Sequence, residues 1–599
     1  MARETGMRRR AAALLLPLLL VVALVAPSAA GAATKTEEPA PGDVNSAEAT
    51  QAAAKDPNVL KEKGEHLGLV PSPTFHNEKW EVGWFENDHE YALVMVDPKT
   101  GKVTESWTGY QVAWEMARGY SGEFAHSLNS PFIWIPLCLL FFVGLCDWRR
   151  WRRIANLDLL VLLGFGVSHF FFNQGNIGLS VPLAYPVLVY FMARCLWIGF
   201  RGRGKGLRPV WPTMWLLVAA LFLMGFRVGL NMADAGAIDV GYAGVTGAHM
   251  IVHGEPLYGN FPEDIHSGDT YGPVNYAAYV PFEVIWPYTG EWDDLPTAHG
   301  ASITFDVATF ILLLVLGIRI RPGPAGRRLG AILAFGWAAF PYTAYVLESD
   351  SNDALISALL VATLVLLAKP LWRGVTISLA TWAKFTPLML APMLLTYEPD
   401  PAGGLVGADR GDGAGESVGH AAAASRTGGR LRTARELLFS RSAFLFALGF
   451  VVVTVVFMLW PTIDPGLKVF YERTIAAQAG RTSPFSIWGQ DESLEPIRVA
   501  ILAATGILAI ALAFIPRRKS LLQVAALGAA LMLGVELTLH HWFYLYIVWF
   551  FPLMLIALCL LEPTEEPEPE DLPGLARRWV RRRAPEPSPA RSTPPVPTG

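Results

Sequence analysis

The chain has 599 residues, of which 52% are hydrophobic, 12% aromatic and only 17% charged, with a formal net charge of −4. That is too apolar for a soluble protein of this length, and its arginines cluster beside apolar runs instead of spreading over a basic, nucleic-acid-binding domain. The composition points to a polytopic membrane protein, mainly α-helical.

Residues 1–33 have a basic start, an apolar centre and small residues around Ala30 to Ala33, the layout of a cleavable secretory signal or, if retained, of an anchor. Residues 34–70, rich in Pro, Glu and Ala, read as a flexible linker. Within 71–127, WEVGWF, YALVMV and KVTESW alternate in character and DPKTG supplies a turn, which predicts a small antiparallel meander. WTGYQVAWEMARGYSGEF then has helical spacing and leads toward the membrane. This extracytoplasmic α+β module resembles a PepSY-type module. A plain spacer is the expected role, and sensing or docking is the alternative.

From residue 131 onward, apolar runs recur near the length that crosses a hydrocarbon core of about 30 Å. Full spans are predicted at 131–147, 156–172, 178–200, 211–230, 301–320, 329–347, 353–369, 441–460, 496–515, 520–539 and 541–561, eleven in all. WRRWRR, RGRGKGLR, RIRPGPAGRR, KPLWR, PRRK and RRWVRRR then share one side, which an excess of Lys and Arg marks as cytoplasmic. The same threading leaves 273–289 and 374–396 as re-entrant or interfacial segments, where Pro273, Pro281, Pro287, Pro387 and Pro392 break helices. The membrane region is thus 131–397, with an outer loop at 231–300, and 437–562; a cytoplasmic linker at 398–436 divides them and a cytoplasmic tail follows at 563–599, both expected to be disordered. The four cysteines fall in or beside apolar segments without metal-ligand spacing.

Titratable residues that are costly near lipid gather on the outer side of this threading. Asp239 follows a span, and His266, Asp269 and Tyr271 share its loop; Glu348, Asp350, Asn352 and Asp353 sit in LESDSNDA. Arg473 and Arg481 lie in YERTIAAQAGRTSPFSIWGQ, and His540 and His541 in LTLHHWFYLY. Such a set provides for group transfer: a carboxylate to take a proton from a hydroxyl, cations to hold a phosphate leaving group, and an aromatic-lined groove for a lipid chain. Asp239 is the candidate base. Arg481, Arg473, His541 and Lys384 are candidate phosphate ligands, and Asp269, Tyr271, Glu348 and Asp350 candidate contacts to acceptor or sugar.

Plainer roles stand beside these. Asp239 would cap a loop helix, with Asp234 its rival as base; Glu348, Asp350 and Asp353 would be charges at a helix start; the arginines would anchor at headgroups and Lys384 would snorkel. His540 and His541 are adjacent, and neighbouring positions on a helix point about 100° apart, so the pair is a poor chelate and no metal or other cofactor is expected. No G-x-G-x-x-G or P-loop is present, which argues against a nucleotide-sugar donor.

RVGLNMADAGAIDVGYAGVTGAHMIVHGEPLYG and the following YGPVNYAAYVPF resemble the first outer loop of GT-C glycosyltransferases, closest to the actinobacterial polyprenol-phosphate-mannose-dependent mannosyltransferases. DSNDALISALLVATLVL, RGVTISLATWAKFTPLMLAPMLL and RTSPFSIWGQ resemble the same family, so the likeness spans roughly 210–560. It implies a GT-C helical bundle, a polyprenyl-phosphate sugar donor, inversion at the anomeric carbon and Asp239 as the base. A glycolipid, polysaccharide or protein hydroxyl would be the acceptor, and membrane lipids, not nucleic acid, the surroundings. The chain departs from the family in the exported module and three spans that precede the matching region. A transporter or lipid flippase, and a membrane-anchored sensor or scaffold, are the alternatives; deletion of 34–125 separates them, since the scaffold dies with the module and the enzyme's chemistry is expected to survive.

Overall fold

The computed structural model describes Pro39 and residues 43–398 and 434–562, apart from positions 77, 88, 123, 124, 263, 264, 266, 291, 293, 294 and 482. The expected signal segment, most of the 398–436 linker, the tail from 563 and His266 lie outside the described residues. The chain divides into two compact units, one ending at Ala113 and the other beginning at Trp114.

The first unit holds a four-stranded antiparallel sheet in the order β1-β2-β3-β4: β1 (Val70–His76), β2 (Lys79–Glu86), β3 (His89–Val96) and β4 (Val103–Thr108). Its register sets Trp80 opposite Val96, Val82 opposite Val94 and Trp84 opposite Ala92, so the alternation of β2 and β3 turns all six onto one buried face. The DPKTG turn closes β3 onto β4, with the Asp97 carboxylate accepting from Lys99 N at 2.9 Å and Thr100 N at 2.7 Å. β1 was not expected. Its Pro71 and Pro73 read as loop punctuation, yet an edge strand tolerates residues that cannot donate to a neighbour.

Part of the expected linker 34–70 is also structured, with helices α1 (Ser46–Ala53) and α2 (Pro57–Glu65). Asn45 Oδ1 accepts from Ala47 N and Glu48 N at 3.0 Å, and Glu48 returns a bond to Asn45 N at 3.1 Å. Asp56 caps α2, and Pro57 starts it. Ala49, Ala53 and Val59 are buried with the sheet residues, which explains why an Ala-rich window is helical and not flexible. The expected helix over WTGYQVAWEMARGYSGEF is a short helix at Tyr110–Ala113 followed by 3-10 turns over Glu115–Gly122, because Gly119 at φ 78° breaks the helical path.

The second unit is mainly helical. Among the described residues six helices are long and apolar enough to cross a membrane, or seven if a bent pair is one span. They include α4 (Ile154–Asn173), α5 (Ile177–Arg201), α6 (Thr213–Asp234), α9 (Pro296–Ile320) and α14 (Arg441–Pro461), which continues to Ala479, and the segment Glu492–Ala511, which contains α15 (Glu495–Ala511). The bent pair is α10 (Gly323–Ala339) and α11 (Pro341–Glu348), which turn by 57° where Pro341 lacks the N–H that would continue the helix. Phe132, Phe222 and Val456 are exposed on helix flanks, an arrangement that lipid accommodates.

The other expected spans are shorter apolar helices: α3 (Pro131–Leu145), α12 (Asp353–Val365), α16 (Leu521–Glu536) and α17 (Ile547–Leu560). At a rise of 1.5 Å per residue α12 is about 20 Å long and α16 about 24 Å, less than a hydrocarbon core.

One end of this unit collects the basic loops. Arg153 pairs with Asp147 at 3.1 Å and with Glu562, Arg321 donates to Glu562 O at 2.8 Å, and Arg328 donates to Pro209 O at 2.6 Å and Trp211 O at 2.9 Å. The segment expected to be re-entrant at 374–396 is a hairpin: α13 (Pro370–Ala383) runs up to Lys384, and the chain returns through 386–395 to Tyr397, whose ring lies 5.2 Å from the Arg373 guanidinium carbon. The other expected irregular segment, 273–289, is the short helix α8 (Pro273–Glu283), lying against α7 (Asp239–His253).

Two ion pairs are buried within the long helices. Arg194 grips Asp158 with Nε at 3.1 Å and Nη2 at 3.0 Å, and Arg227 Nη2 meets Asp306 Oδ1 at 2.9 Å while its Nη1 donates to Trp337 O and Thr343 Oγ1.

Candidate active site

Asp239 is the first residue of α7, and two contacts fix where α7 begins. Ile238 N donates to Ser349 O at 3.2 Å, and Gly241 approaches Asp350 so closely that a Cβ there would stand 2.6 Å from Asp350 O. Asp350 itself is held at φ 45° by Asn231 Nδ2 at 2.9 Å and Ser302 Oγ at 2.5 Å, with His299 Nδ1 3.0 Å from its second oxygen. That His299 approach is close enough for an ion pair but off the hydrogen-bonding direction. The Asp239 carboxylate accepts from Val240 N at 2.8 Å and remains open to solvent. Protein massed around it raises its carboxyl above the ordinary range, and Arg481 and Lys384 oppose that rise. A side chain both reached by solvent and surrounded by protein lies on the wall of a concavity.

Lys384 and Asp353 lie within electrostatic reach of that carboxylate. Lys384, at the tip of the hairpin, pairs with the fully buried Asp353 at the start of α12, and Trp549 Nε1 donates to the same carboxylate at 2.7 Å. Aromatic faces enclose the ammonium, at 5.4 Å from Tyr271, 5.4 Å from Tyr546 and 5.1 Å from Trp549. Tyr271 is carried there because Gly272 N donates to Ala383 O at 3.3 Å, an approach at which a Cβ on Gly272 would meet Trp382 O at 2.0 Å.

Arg481 opens the RTSPFSIWGQ loop, which is tied down on both sides. Ser483 Oγ bonds His541 Nδ1 at 2.9 Å, Ile487 N donates to Tyr185 OH at 3.3 Å, Gln490 Nε2 donates to Ile177 O at 3.2 Å and Trp488 Nε1 to Leu537 O at 2.9 Å. Among the described residues no carboxylate forms an ion pair with Arg481, whose guanidinium faces the Trp114 ring at 5.7 Å. Burial, with Arg481 and Lys384 nearby, holds the His541 imidazole well below its usual pKa, so it is neutral near pH 7.

Asp239, Tyr271, Lys384, Arg481 and His541, expected from sequence, thus come within electrostatic reach of one another. Arg473, Asp269, Glu348, Asp350 and His540 are engaged or buried elsewhere. Arg473 Nε bonds the buried Asp269 at 2.6 Å, and Gly259 N donates to the same oxygen at 2.7 Å, so these two neutralise each other and fasten the outer loop to the segment after α14. Glu348 and Asp350 are buried, Asp350 against Gly241 in the first turn of α7. His540 turns away to Glu495 at 3.0 Å.

Sequence reasoning missed Trp114, Tyr546 and Trp549, and read Asp353 as a charge at a helix start, where it stands, without foreseeing its pairing with Lys384. Tyr546 and Trp549 are three apart, a spacing that puts them on one helical face, but within LYIVWFF that signal is drowned by apolar neighbours. The arrangement chemically offers a solvent-open carboxylate, a guanidinium that pairs with no carboxylate among the described residues, a neutral imidazole and a boxed ammonium. No protein-family model matches the chain, and no curated protein does.

Proposed function

We propose that the chain is an integral-membrane glycosyltransferase of GT-C type that moves a hexose, with mannose the first candidate, from a polyprenyl monophosphate to an acceptor hydroxyl. One observation carries the reading: a carboxylate open to solvent, Asp239, lies within electrostatic reach of a guanidinium, Arg481, that pairs with no carboxylate among the described residues. Asp239 takes the proton as the acceptor oxygen bonds to the anomeric carbon, and the sugar–phosphate bond breaks on the opposite side with inversion. The departing phosphate meets Arg481, with Lys384 and the neutral His541 as further donors. A general base contributes about 10²- to 10⁴-fold, which sets the loss expected on its removal.

The same reading counts the shorter apolar helices as crossings, which gives the eleven spans of a GT-C-like bundle, and sets the Asp239 end and the PepSY-like first unit outside the cell membrane. Membranes holding this chain are to be assayed for transfer from radiolabelled polyprenyl-phosphate-mannose beside Asp239→Asn. Loss confined to the variant supports the reading, and undiminished turnover in it sinks the assigned base.

A transporter or flippase is the second reading, favoured by the Arg194–Asp158 and Arg227–Asp306 pairs within the long helices. Movement of a labelled polyprenyl phosphate across proteoliposomes without sugar transfer selects it.

A further inference from the structure

Trp114 is the first residue of the second unit and the start of a strap over Trp114–Gly122. Its ring meets three members of the site at once: the Arg481 guanidinium carbon at 5.7 Å, the His541 ring at 5.7 Å and 32°, and the Phe485 ring edge-on at 5.5 Å and 90°. The strap is seated by Gly119, which stands at φ 78° with a virtual Cβ 2.5 Å from Gly175 N and 2.7 Å from Asn173 O, against the turn between α4 and α5. That turn also steadies the Arg481 loop, through Gln490 on Ile177 O.

We propose that Trp114 is a positioning residue that holds the Arg481 guanidinium toward the recess, and that the Trp114–Gly122 strap is therefore part of the site. Lys384 is fixed by Asp353 and Arg473 by Asp269, but Arg481 has no carboxylate to fix it among the described residues. A guanidinium on a long stem needs such a surface, and an aromatic face supplies it without neutralising the charge. The geometry stands by itself; that Arg481 then meets a phosphate rests on the glycosyltransferase reading.

The test uses the full chain in membranes and two readouts. Phenylglyoxal modification of Arg481, followed by peptide mass spectrometry with the exposed Arg149 as internal reference, is expected to quicken about fivefold in Trp114→Ala. Gly119→Ala should behave similarly and Trp114→Phe should fall between, which separates loss of the ring from loss of the fold. An unchanged rate at Arg481 in Trp114→Ala overturns the proposal. In transfer from polyprenyl-phosphate-mannose, Trp114→Ala added to Arg481→Gln should cost nothing further, whereas additive losses overturn it. If wild type transfers no sugar while Arg481 reactivity still responds to Trp114, the glycosyltransferase reading fails and the positioning stands.

Discussion

Lys384 and Asp353 form an ion pair that is closed to solvent on the carboxylate side and walled by three aromatic rings on the ammonium side. Removing one partner strands the other in a dry setting. Lys384→Met is therefore expected to lower stability by about 3–5 kcal/mol, and Lys384→Met combined with Asp353→Leu by clearly less. Thermal inactivation in detergent, followed by size-exclusion recovery, measures both.

The acidity of Asp239 gives a signed pH prediction. As the base it acts when ionised, so transfer rises with pH through its pKa and is lost below it. Its surroundings raise that pKa, so the acid limb of kcat/KM lies above the ordinary carboxylate range. Arg481 favours the ionised form, hence Arg481→Gln moves the limb to higher pH; Asp353 disfavours it, hence Asp353→Asn moves the limb to lower pH. Limbs that coincide in all three proteins would refute Asp239 as the titrating base.

Gly241 tests how closely Asp239 must be placed. A side chain there meets the Asp350 carbonyl and displaces the first turn of α7. Gly241→Val should lower kcat by about 100-fold, the cost of a misplacement near 1 Å, while the amount of inserted protein stays constant. Single-turnover kinetics with quantified membrane protein reads this.

Asp269 and Arg473 carry the residue types of a phosphate or sugar site but are spent on each other. Asp269→Asn should loosen the outer loop, seen as faster limited proteolysis between α7 and α9, and lower stability by about 1–3 kcal/mol given that Arg473 is partly exposed. KM for donor should move far less than in Arg481→Gln.

The strap revises what truncation is expected to do. Deletion of 34–125 removes Trp114, so it should impair transfer as Trp114→Ala does. Deletion of 34–109, which keeps Trp114, should leave transfer within about threefold of wild type. Parallel transfer assays on the two truncations decide this.

Some of this was legible because charge is costly beside lipid. Asp239, Arg481 and His541 stand at the margins of apolar runs, and alternating threading put those margins on one side with the loop that carries Tyr271, whereas Lys384 lies inside an apolar segment. Position in the chain does not say which carboxylate is open and which is buried, so Asp239 and Asp350 looked alike until the φ 45° turn and its Asn231 and Ser302 bonds set Asp350 inward. The helices at 46–65 were readable from Asn45 and Asp56 as caps, but Pro and Ala content outweighed them. Trp114 could not be found by any local pattern, because its significance comes from Arg481 and His541, which are remote in sequence.

The hairpin through Lys384 stands with both feet, Arg373 and Tyr397, together and its tip at the recess. Between them α13 is a rod of about 21 Å, stiff along its length because every turn is hydrogen-bonded. The hairpin therefore holds the Lys384 ammonium at a set distance from its Arg373 and Tyr397 feet, about 21 Å along α13.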